Sequence, residues 1–285
     1  MPEIPSTDNS SDDRSDVVLV DVADRIALVT LNRPGQRNAL NRAVRARLPR
    51  LIRDLDADDG VDVIILTGAD PAFCAGVDLK EFGSGASTAA GEGFAEWGDD
   101  PGQRDADGRL PFRGALPPHA KLVIGAINGV AVTGGFEVAL NCDFMIASAR
   151  ARFADTHARV GVMPGWGLTV LLAQRIGVAR ARQMSVTGNY VDARTAYEWG
   201  LVNEVVEHGE LLPRCRQLAL DCVSTDQRAV RQMLATYRAV GDATVAEGWE
   251  IEDRASRAWE GSGFDPSAIE ARRRAVVERG REQIS

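Results

Sequence analysis

The distribution of apolar residues divides the chain into alternating strand-like and helix-like segments. Two β-branched runs, residues 17–22 and 26–31, are separated by three polar or small residues and predict an antiparallel hairpin. Leucines and a valine at helical spacing follow them, and they predict a helix that Asn38 caps and that Pro49 breaks or kinks. Residues 61–67 form the next apolar strand. Strand, helix and strand in succession predict parallel strands joined by right-handed crossovers.

The same alternation continues through an apolar run that ends in a glycine pair. Residues 122–127 read as a strand, and a helix is predicted to start at Gly134 or Gly135. The first N–H groups of a helix have no intrahelical partners and carry the positive end of its dipole, so this start is a candidate anion site. Glu137 falls in its first turn. The alternative is a tight strand-to-helix crossover with a dipole-stabilised glutamate.

A second glycine motif follows the strand at residues 61–67. It reads Ala-Gly-Val-Asp-Leu-Lys at residues 75–80, and the first motif reads Asn-Gly-Val-Ala-Val-Thr-Gly-Gly-Phe-Glu at residues 128–137. In this order, with a loop between them, the two motifs resemble the enoyl-CoA hydratase/isomerase (crotonase) superfamily. The resemblance covers roughly residues 17 to 205.

The resemblance implies an α/β fold, the crotonase (ClpP-like) fold of repeated ββα units with a carboxy-terminal helical domain. We expect a disordered tail at residues 1–16, because they hold almost no large apolar side chain. Residues 17–205 are then the acyl-CoA-binding core. Residues 206–285, which have helical character, are the carboxy-terminal domain.

The segment between the two glycine motifs departs from the family. Residues 83–115 are rich in Gly, Ala, Asp and Ser and are longer than the helix and short link that the family usually has there. A loop of this length is either functional or mobile. It is therefore a flexible surface insertion or a lid that closes on the acyl chain.

Composition narrows the class of protein and its location. The 285 residues are 45% hydrophobic and 26% charged, as in an ordinary soluble globular protein. A net charge of −8 argues against a nucleic acid partner. The four cysteines lack metal-type spacing, which predicts reduced thiols, and no apolar stretch reaches the roughly 18 residues of a membrane span. With no export signal at the amino terminus, we expect a cytoplasmic protein without membrane contact.

The resemblance also assigns residues to an acyl thioester site. Val77 and Gly134 match the two residues whose backbone N–H groups hold the thioester carbonyl, an oxyanion hole. The matched segment that holds the CoA moiety contains, besides Val77, the residues Asp78, Leu79 and Lys80. Gly165 matches a glycine beside the hydratase water. The CoA thioester is the substrate, no cofactor is expected, and the family forms homotrimers or dimers of trimers.

One catalytic position departs from the family pattern. Glu137 matches the first of two glutamates that share a water in hydratases, whereas the place of the second is taken by His157. A neutral imidazole with a pKa near 6.5 still accepts or donates a proton, and Asp155 is placed to orient it. Alternatively, His157 is a packing residue. Trp166 stands where a small residue is usual and is expected to narrow the pocket.

The catalytic function expected from these residues is hydration of a 2-enoyl-CoA to a 3-hydroxyacyl-CoA by a lyase, through an enolate held by the oxyanion hole. Another crotonase-type reaction, such as double-bond isomerisation, thioester hydrolysis or decarboxylation, is the first alternative. A non-catalytic acyl-CoA-binding protein is the second. Glu137 argues against the second, because a binding module has no need of a carboxylate at the carbonyl.

Overall fold

A computed structural model describes residues 17–78, 114–260, 272–274 and 276–281 of the chain. The predicted tail at residues 1–16 lies outside these ranges, as does the predicted loop at residues 83–115 except for its last two residues. The described residues form two compact units, divided between Val230 and Arg231. This division does not coincide with the predicted domain boundary after residue 205, which stays a prediction.

The larger sheet has six strands and carries the buried centre of the first unit. Its order is β1 (Val18–Ala23), β2 (Ile26–Leu31), β3 (Val63–Gly68), β5 (Leu122–Ile127), β7 (Phe144–Ser148) and β10 (Glu204–Val206). The pair β1 and β2 is the predicted antiparallel hairpin, and the later pairs are parallel, as predicted. Every residue of β3 and β5 is buried, which explains why both strands are continuously apolar.

A smaller, four-stranded sheet leads into the candidate site. Its order is β4 (Ala72–Cys74), β6 (Val130–Val132), β8 (Arg152–Ala154) and β9 (Val191–Asp192). The first three strands are parallel, and β9 runs antiparallel to β8. The carboxyl ends of β4, β6 and β8 therefore lie at one edge of this sheet. They lead into the segments that contain Val77, Gly134 and His157.

The first helix, α1 (Arg42–Ala57), corrects two details of the sequence interpretation. Its cap is Asn41, whose side-chain oxygen accepts the N–H of Val44 at 3.0 Å, and not Asn38. Asn38 has a φ of 57° and donates its side-chain amide to the carbonyls of Ala69 and Ala72. The helix also continues through Pro49 without a break.

Further helices follow along the described part of the chain, and those between Leu211 and Glu260 agree with the helical character expected of residues 206–285. In chain order they are α2 (Gly134–Leu140), α3 (His157–Val160), α4 (Leu168–Ile176), α5 (Val178–Thr187), α6 (Ala193–Glu198), α7 (Leu211–Val223), α8 (Gln227–Gly241) and α9 (Val245–Glu260), with 3₁₀ turns at Pro34–Gln36 and His208–Glu210. Helix α7 contacts β3, β5 and β7 and buries Cys215 and Ala219 against the first unit's core. The cysteines are free, as predicted. No helix within the described ranges has the length and apolar character needed to cross a membrane.

Candidate active site

The two glycine motifs meet where β4 and β6 end. Gly76 has a φ of +87°, and a Cβ atom on it would lie 2.9 Å from the carbonyl oxygen of Val132. A Cβ atom on Gly135 would lie 2.3 Å from the carbonyl oxygen of Cys74, so α2 approaches β4 as closely as only glycine permits. The sequence predicted both motifs as separate strand ends, and the structure brings them into contact.

Thr133 connects β6 to α2 in a conformation that is rare for a β-branched residue. Its φ is 53° and its ψ is −122°, a region that costs on the order of 1 to 3 kcal/mol for such a side chain. Its N–H donates to the carbonyl of Ala154 at 3.1 Å, and its hydroxyl contacts the hydroxyl of Thr156. These bonds fix the start of α2 against the segment that leads to His157.

Val77 and Gly134 present backbone N–H groups at this junction. Leu40 and Val77 form a parallel β-bridge, in which the N–H of Leu40 donates to the carbonyl of Gly76 and the carbonyl of Leu40 accepts the N–H of Asp78. The N–H of Val77 therefore points away from Leu40. Gly134 is the first residue of α2, where an N–H has no intrahelical partner. Within the described residues, neither N–H has a recorded acceptor. Their convergence on one oxyanion stays a prediction, which this geometry supports.

Asp78 is held by an ion pair that the sequence interpretation did not include. The guanidinium of Arg33 contacts the Asp78 carboxylate at 3.0 Å and also donates to the carbonyl of Ala39 at 2.5 Å. Both charged side chains are largely buried, and together they fix the segment behind Val77. Leu79 and Lys80, predicted to bind the CoA moiety, lie outside the described residues. Nothing in the local sequence around Arg33 identifies Asp78 as its partner.

Glu137 is the buried carboxylate of the site, with 1% of its surface exposed. Its Oε1 accepts the backbone N–H of Trp166 at 2.7 Å and that of Leu168 at 3.4 Å. Its Oε2 has no hydrogen-bond partner among the described residues. One oxygen therefore anchors the side chain and the other remains available for chemistry.

His157 lies between two carboxylates. Its Nδ1 is 2.6 Å from Oδ1 of Asp155, which also accepts the backbone N–H of His157 at 3.1 Å. Its Nε2 is 3.5 Å from Oε2 of Glu137, which is too long for a well-formed hydrogen bond but within the range of an ion pair. The side chain of His157 thus reaches Glu137, and Asp155 orients its ring, as the sequence interpretation proposed.

The surroundings of His157 determine its charge. Burial acts to lower its pKa, but the hydrogen bond to Asp155 and the charges of Asp155 and Glu137 outweigh burial and raise the pKa to about 9. Burial in turn acts to raise the pKa of Asp155, and the bond to His157 is the largest of the opposing effects that hold this pKa below its usual value. These contacts favour the imidazolium form of His157 at neutral pH. The sequence interpretation considered a neutral ring with a pKa near 6.5, and the two carboxylates raise the pKa above that value.

The site holds a fixed carboxylate beside a histidine, and close to them lie two N–H groups that have no acceptor among the described residues. Such a set stabilises an oxyanion and moves a proton on and off an adjacent carbon. Gly165 is exposed and precedes Trp166, and its predicted position beside a water stays a prediction. Within the described ranges, no group of three or more His, Cys, Asp or Glu side chains is arranged to hold a metal ion.

Comparison with known proteins gives matches to a single family. The family model for enoyl-CoA hydratase/isomerase matches residues 21–260. A probable peroxisomal enoyl-CoA hydratase 1 of Arabidopsis thaliana is 41% identical over 205 residues, 72% of each chain. A short-chain-enoyl-CoA hydratase of Clostridium acetobutylicum is 35% identical over 75% of this chain and 78% of its own.

A solved structure supports the fold as well as the family. The crystal structure of an enoyl-CoA hydratase from Mycobacterium tuberculosis H37Rv is similar with a TM-score of 0.69 and 46% identity. The likeness covers 85% of this chain and 98% of the other. Together with the two glycine motifs and the position of Glu137, these matches establish that the chain belongs to the enoyl-CoA hydratase/isomerase family and has the crotonase fold.

Proposed function

We propose that this protein is a lyase that adds water to a 2-enoyl-CoA and forms a 3-hydroxyacyl-CoA. The observation that carries the proposal is the geometry of Glu137, whose Oε2 is buried, unpaired among the described residues and 3.5 Å from Nε2 of His157. Addition of water across a double bond requires a base that takes a proton from the water and an acid that gives a proton to the neighbouring carbon. The relatives named as enoyl-CoA hydratases support the same reaction.

The bond-forming step assigns a separate role to each group. Oε2 of Glu137 takes a proton from water while the water oxygen bonds to Cβ, and the π electrons move onto the thioester oxygen. The N–H groups of Val77 and Gly134 stabilise the resulting enolate, where each such donor typically contributes about 3 to 4 kcal/mol. Fixing Oε1 on the N–H of Trp166 aims Oε2 without reorganisation during the reaction.

The second step returns the protons to their starting positions. Nε2 of the charged His157 gives its proton to Cα, and the enolate collapses to the thioester. Glu137 is then protonated and His157 neutral, and a proton crosses the 3.5 Å between them to restore the resting state. One water has been added and no other reactant is consumed. Asp155 keeps Nε2 directed at Glu137 throughout by holding Nδ1.

The first test is a panel of enoyl-, acyl- and malonyl-type CoA thioesters incubated with purified protein, with products identified by mass spectrometry. We expect a mass gain of one water on 2-enoyl thioesters and no free CoA. Migration of the double bond without a mass change would support isomerisation, and free CoA or loss of carbon dioxide would support thioester hydrolysis or decarboxylation. Any of these outcomes in the absence of hydration would contradict the proposal.

We further propose that the reaction needs no cofactor and takes place in the cytoplasm. Glu137 and His157 supply every proton transfer in the scheme and the two backbone N–H groups stabilise the enolate, so hydration is expected to persist in EDTA. The free state of all four cysteines fits a reducing compartment. Loss of activity in EDTA, or recovery of the protein in a membrane fraction, would contradict these two statements.

We also propose a homotrimer or a dimer of trimers. The assembly follows from the family resemblance and is supported by apolar side chains that remain exposed one turn apart: Met233 and Tyr237 on α8, and Val245 and Trp249 on α9. Sedimentation equilibrium is expected to give three or six chains per particle, and Tyr237→Glu with Trp249→Glu to reduce that number. A wild-type monomer at micromolar concentration would contradict the proposal.

A further inference from the structure

The side chain of Trp166 lies over the start of α2. Only 5% of its surface is exposed, and a Cβ atom placed on Gly134 would be 2.8 Å from Cζ3 of the indole. The same point would be 3.5 Å from Cδ1 of Leu40 and from Cγ2 of Val77. Three apolar side chains therefore converge above the residue whose N–H is proposed to hold the thioester oxygen.

The backbone of Trp166 is fixed on both sides. Its N–H donates to Oε1 of Glu137 at 2.7 Å, and its carbonyl accepts the side-chain amide of Asn141 at 3.0 Å. The same amide donates to the carbonyl of Glu137 at 2.8 Å. The backbone that carries the ring is therefore tied to Glu137 directly through its N–H and indirectly through Asn141, and the buried indole forms a wall over the start of α2.

The position of this wall limits the acyl group. A thioester held as proposed, with its oxygen at the N–H of Gly134 and its Cβ facing Glu137, lies beside the indole. A close-packed aromatic wall yields little to added methylenes, so carbons beyond Cβ would meet the ring.

We infer that Trp166 is the residue that determines acyl specificity, admitting short 2-enoyl groups of about crotonyl size and excluding long chains. The inference rests on the proposed hydration. It assigns to the side chain of Trp166 a role separate from that of its backbone N–H, which holds Glu137. A Trp166 variant should therefore change substrate preference while the catalytic carboxylate stays in place.

The test compares wild type, Trp166→Ala and Trp166→Phe on crotonyl-, hexenoyl- and decenoyl-CoA. One methylene in an apolar pocket typically changes kcat/KM by about 10- to 200-fold. We expect wild type to prefer crotonyl-CoA over decenoyl-CoA, Trp166→Ala to reduce that preference by at least about tenfold, and Trp166→Phe to fall between. Equal activity of wild type on all three chains, or an unchanged preference in Trp166→Ala, would overturn the inference.

Two controls separate this inference from its premises. Binding of butyryl- and decanoyl-CoA, measured by calorimetry, reports the same preference without turnover, so it tests the wall even if hydration fails. If Trp166→Ala does not fold, as judged by circular dichroism, the Phe variant and Trp166→Leu carry the comparison. Trp199→Phe is the control for loss of a tryptophan elsewhere in the fold. The Cζ atom of Arg180 lies 5.4 Å from the centre of the Trp199 ring, and this variant is expected to leave the chain-length preference unchanged.

Discussion

A Glu137→Gln variant is expected to hydrate crotonyl-CoA at least about a hundredfold more slowly than wild type, because general-base catalysis typically contributes a factor of about 10² to 10⁴. Gln keeps the size of the side chain, and its amide oxygen can still accept the N–H of Trp166 at the Oε1 position. The amide nitrogen then replaces Oε2. It cannot take a proton from water, and it places a donor opposite the imidazolium of His157.

The measurement is the loss of enoyl-thioester absorbance, together with the Kd of butyryl-CoA. The Kd is expected to change little, because the carboxylate acts on the water and not on the thioester oxygen. Glu198→Gln is a matched control, since Glu198 is exposed and, among the described residues, its ion pair is with Arg194 on the same helix, and its turnover should equal that of wild type. Turnover of Glu137→Gln close to wild type would remove Glu137 from the mechanism.

His157→Ala is expected to lower kcat by a similar factor of about 10² to 10⁴. The change removes the proton donor for Cα and leaves Asp155 and Glu137 as two buried carboxylates without the cation between them. Thermal melting of the variant reports whether the loss of activity is only a loss of fold. Wild-type hydration rates in a folded His157→Ala protein would show that His157 only packs.

The pH dependence tests the protonation state directly. If charged His157 is the acid, kcat/KM falls as pH rises through about 9, the pKa of His157. Asp155→Asn removes one of the two carboxylates that raise this pKa, so its falling limb should move to lower pH. If Asp155 only packs, Asp155→Asn would lower kcat/KM at every pH and leave the pH at which kcat/KM falls unchanged.

The raised pKa of His157 also makes the free energy of unfolding depend on pH. It is about 9 in the folded protein, above the ordinary histidine value of about 6.5 that applies to the unfolded chain. Protonated His157 therefore contributes stability that is fully present below about pH 6.5 and is lost as pH rises through about 9. The free energy of unfolding in urea should decline over that interval in wild type, and this part of the decline should be absent in His157→Ala.

His157→Glu tests the shared water only when it is combined with a second substitution. His157→Glu alone would bury a third carboxylate beside Asp155 and Glu137, and we expect it to be unstable and poorly active. Combined with Asp155→Asn, it recreates the two-glutamate pattern that the family resemblance implies. The double variant is expected to be more active than the single Glu variant, and the reverse order would argue against a shared water.

Local sequence was sufficient to predict the elements that depend on near neighbours. The hairpin of β1 and β2, the helix that starts at Gly134 and the position of Glu137 in its first turn follow from apolar periodicity and from glycine between a strand and a helix. The orienting role of Asp155 was also accessible, because the residue lies two positions before His157 and its carboxylate reaches forward along the chain to the imidazole.

The assignment of the α1 cap failed because two asparagines precede the helix. Asn38 and Asn41 have similar local capping propensities, and hydrogen bonds to residues far along the chain decide which of them caps the helix. Asn38 is engaged by the carbonyls of Ala69 and Ala72, which are more than thirty residues away. Pro49 is tolerated for a related reason, because Leu48, Leu51 and Ile52 pack into the core on either side of it and outweigh one lost hydrogen bond.

Contacts between distant segments account for the rest of what the sequence did not reveal. Neither the pairing of Arg33 with Asp78 nor the placement of the Trp166 ring over Gly134 has a local signal. The raised pKa of His157 has no complete local signal for the same reason. Asp155 was visible in the sequence, but the approach of Glu137 to the other side of the ring depends on how α2 packs near α3.

The hydrogen bond from the Trp166 backbone to Glu137 has a consequence for how such enzymes diverge. Because a main-chain N–H aligns the carboxylate, every amino acid except proline at this position can supply the bond. If the Trp166 side chain limits the acyl group, as inferred, a single nucleotide change in the codon for residue 166 alters which acyl groups fit and leaves the bond that aligns Glu137 in place. A duplicate of this gene would then acquire a new substrate at this position while keeping its reaction centre.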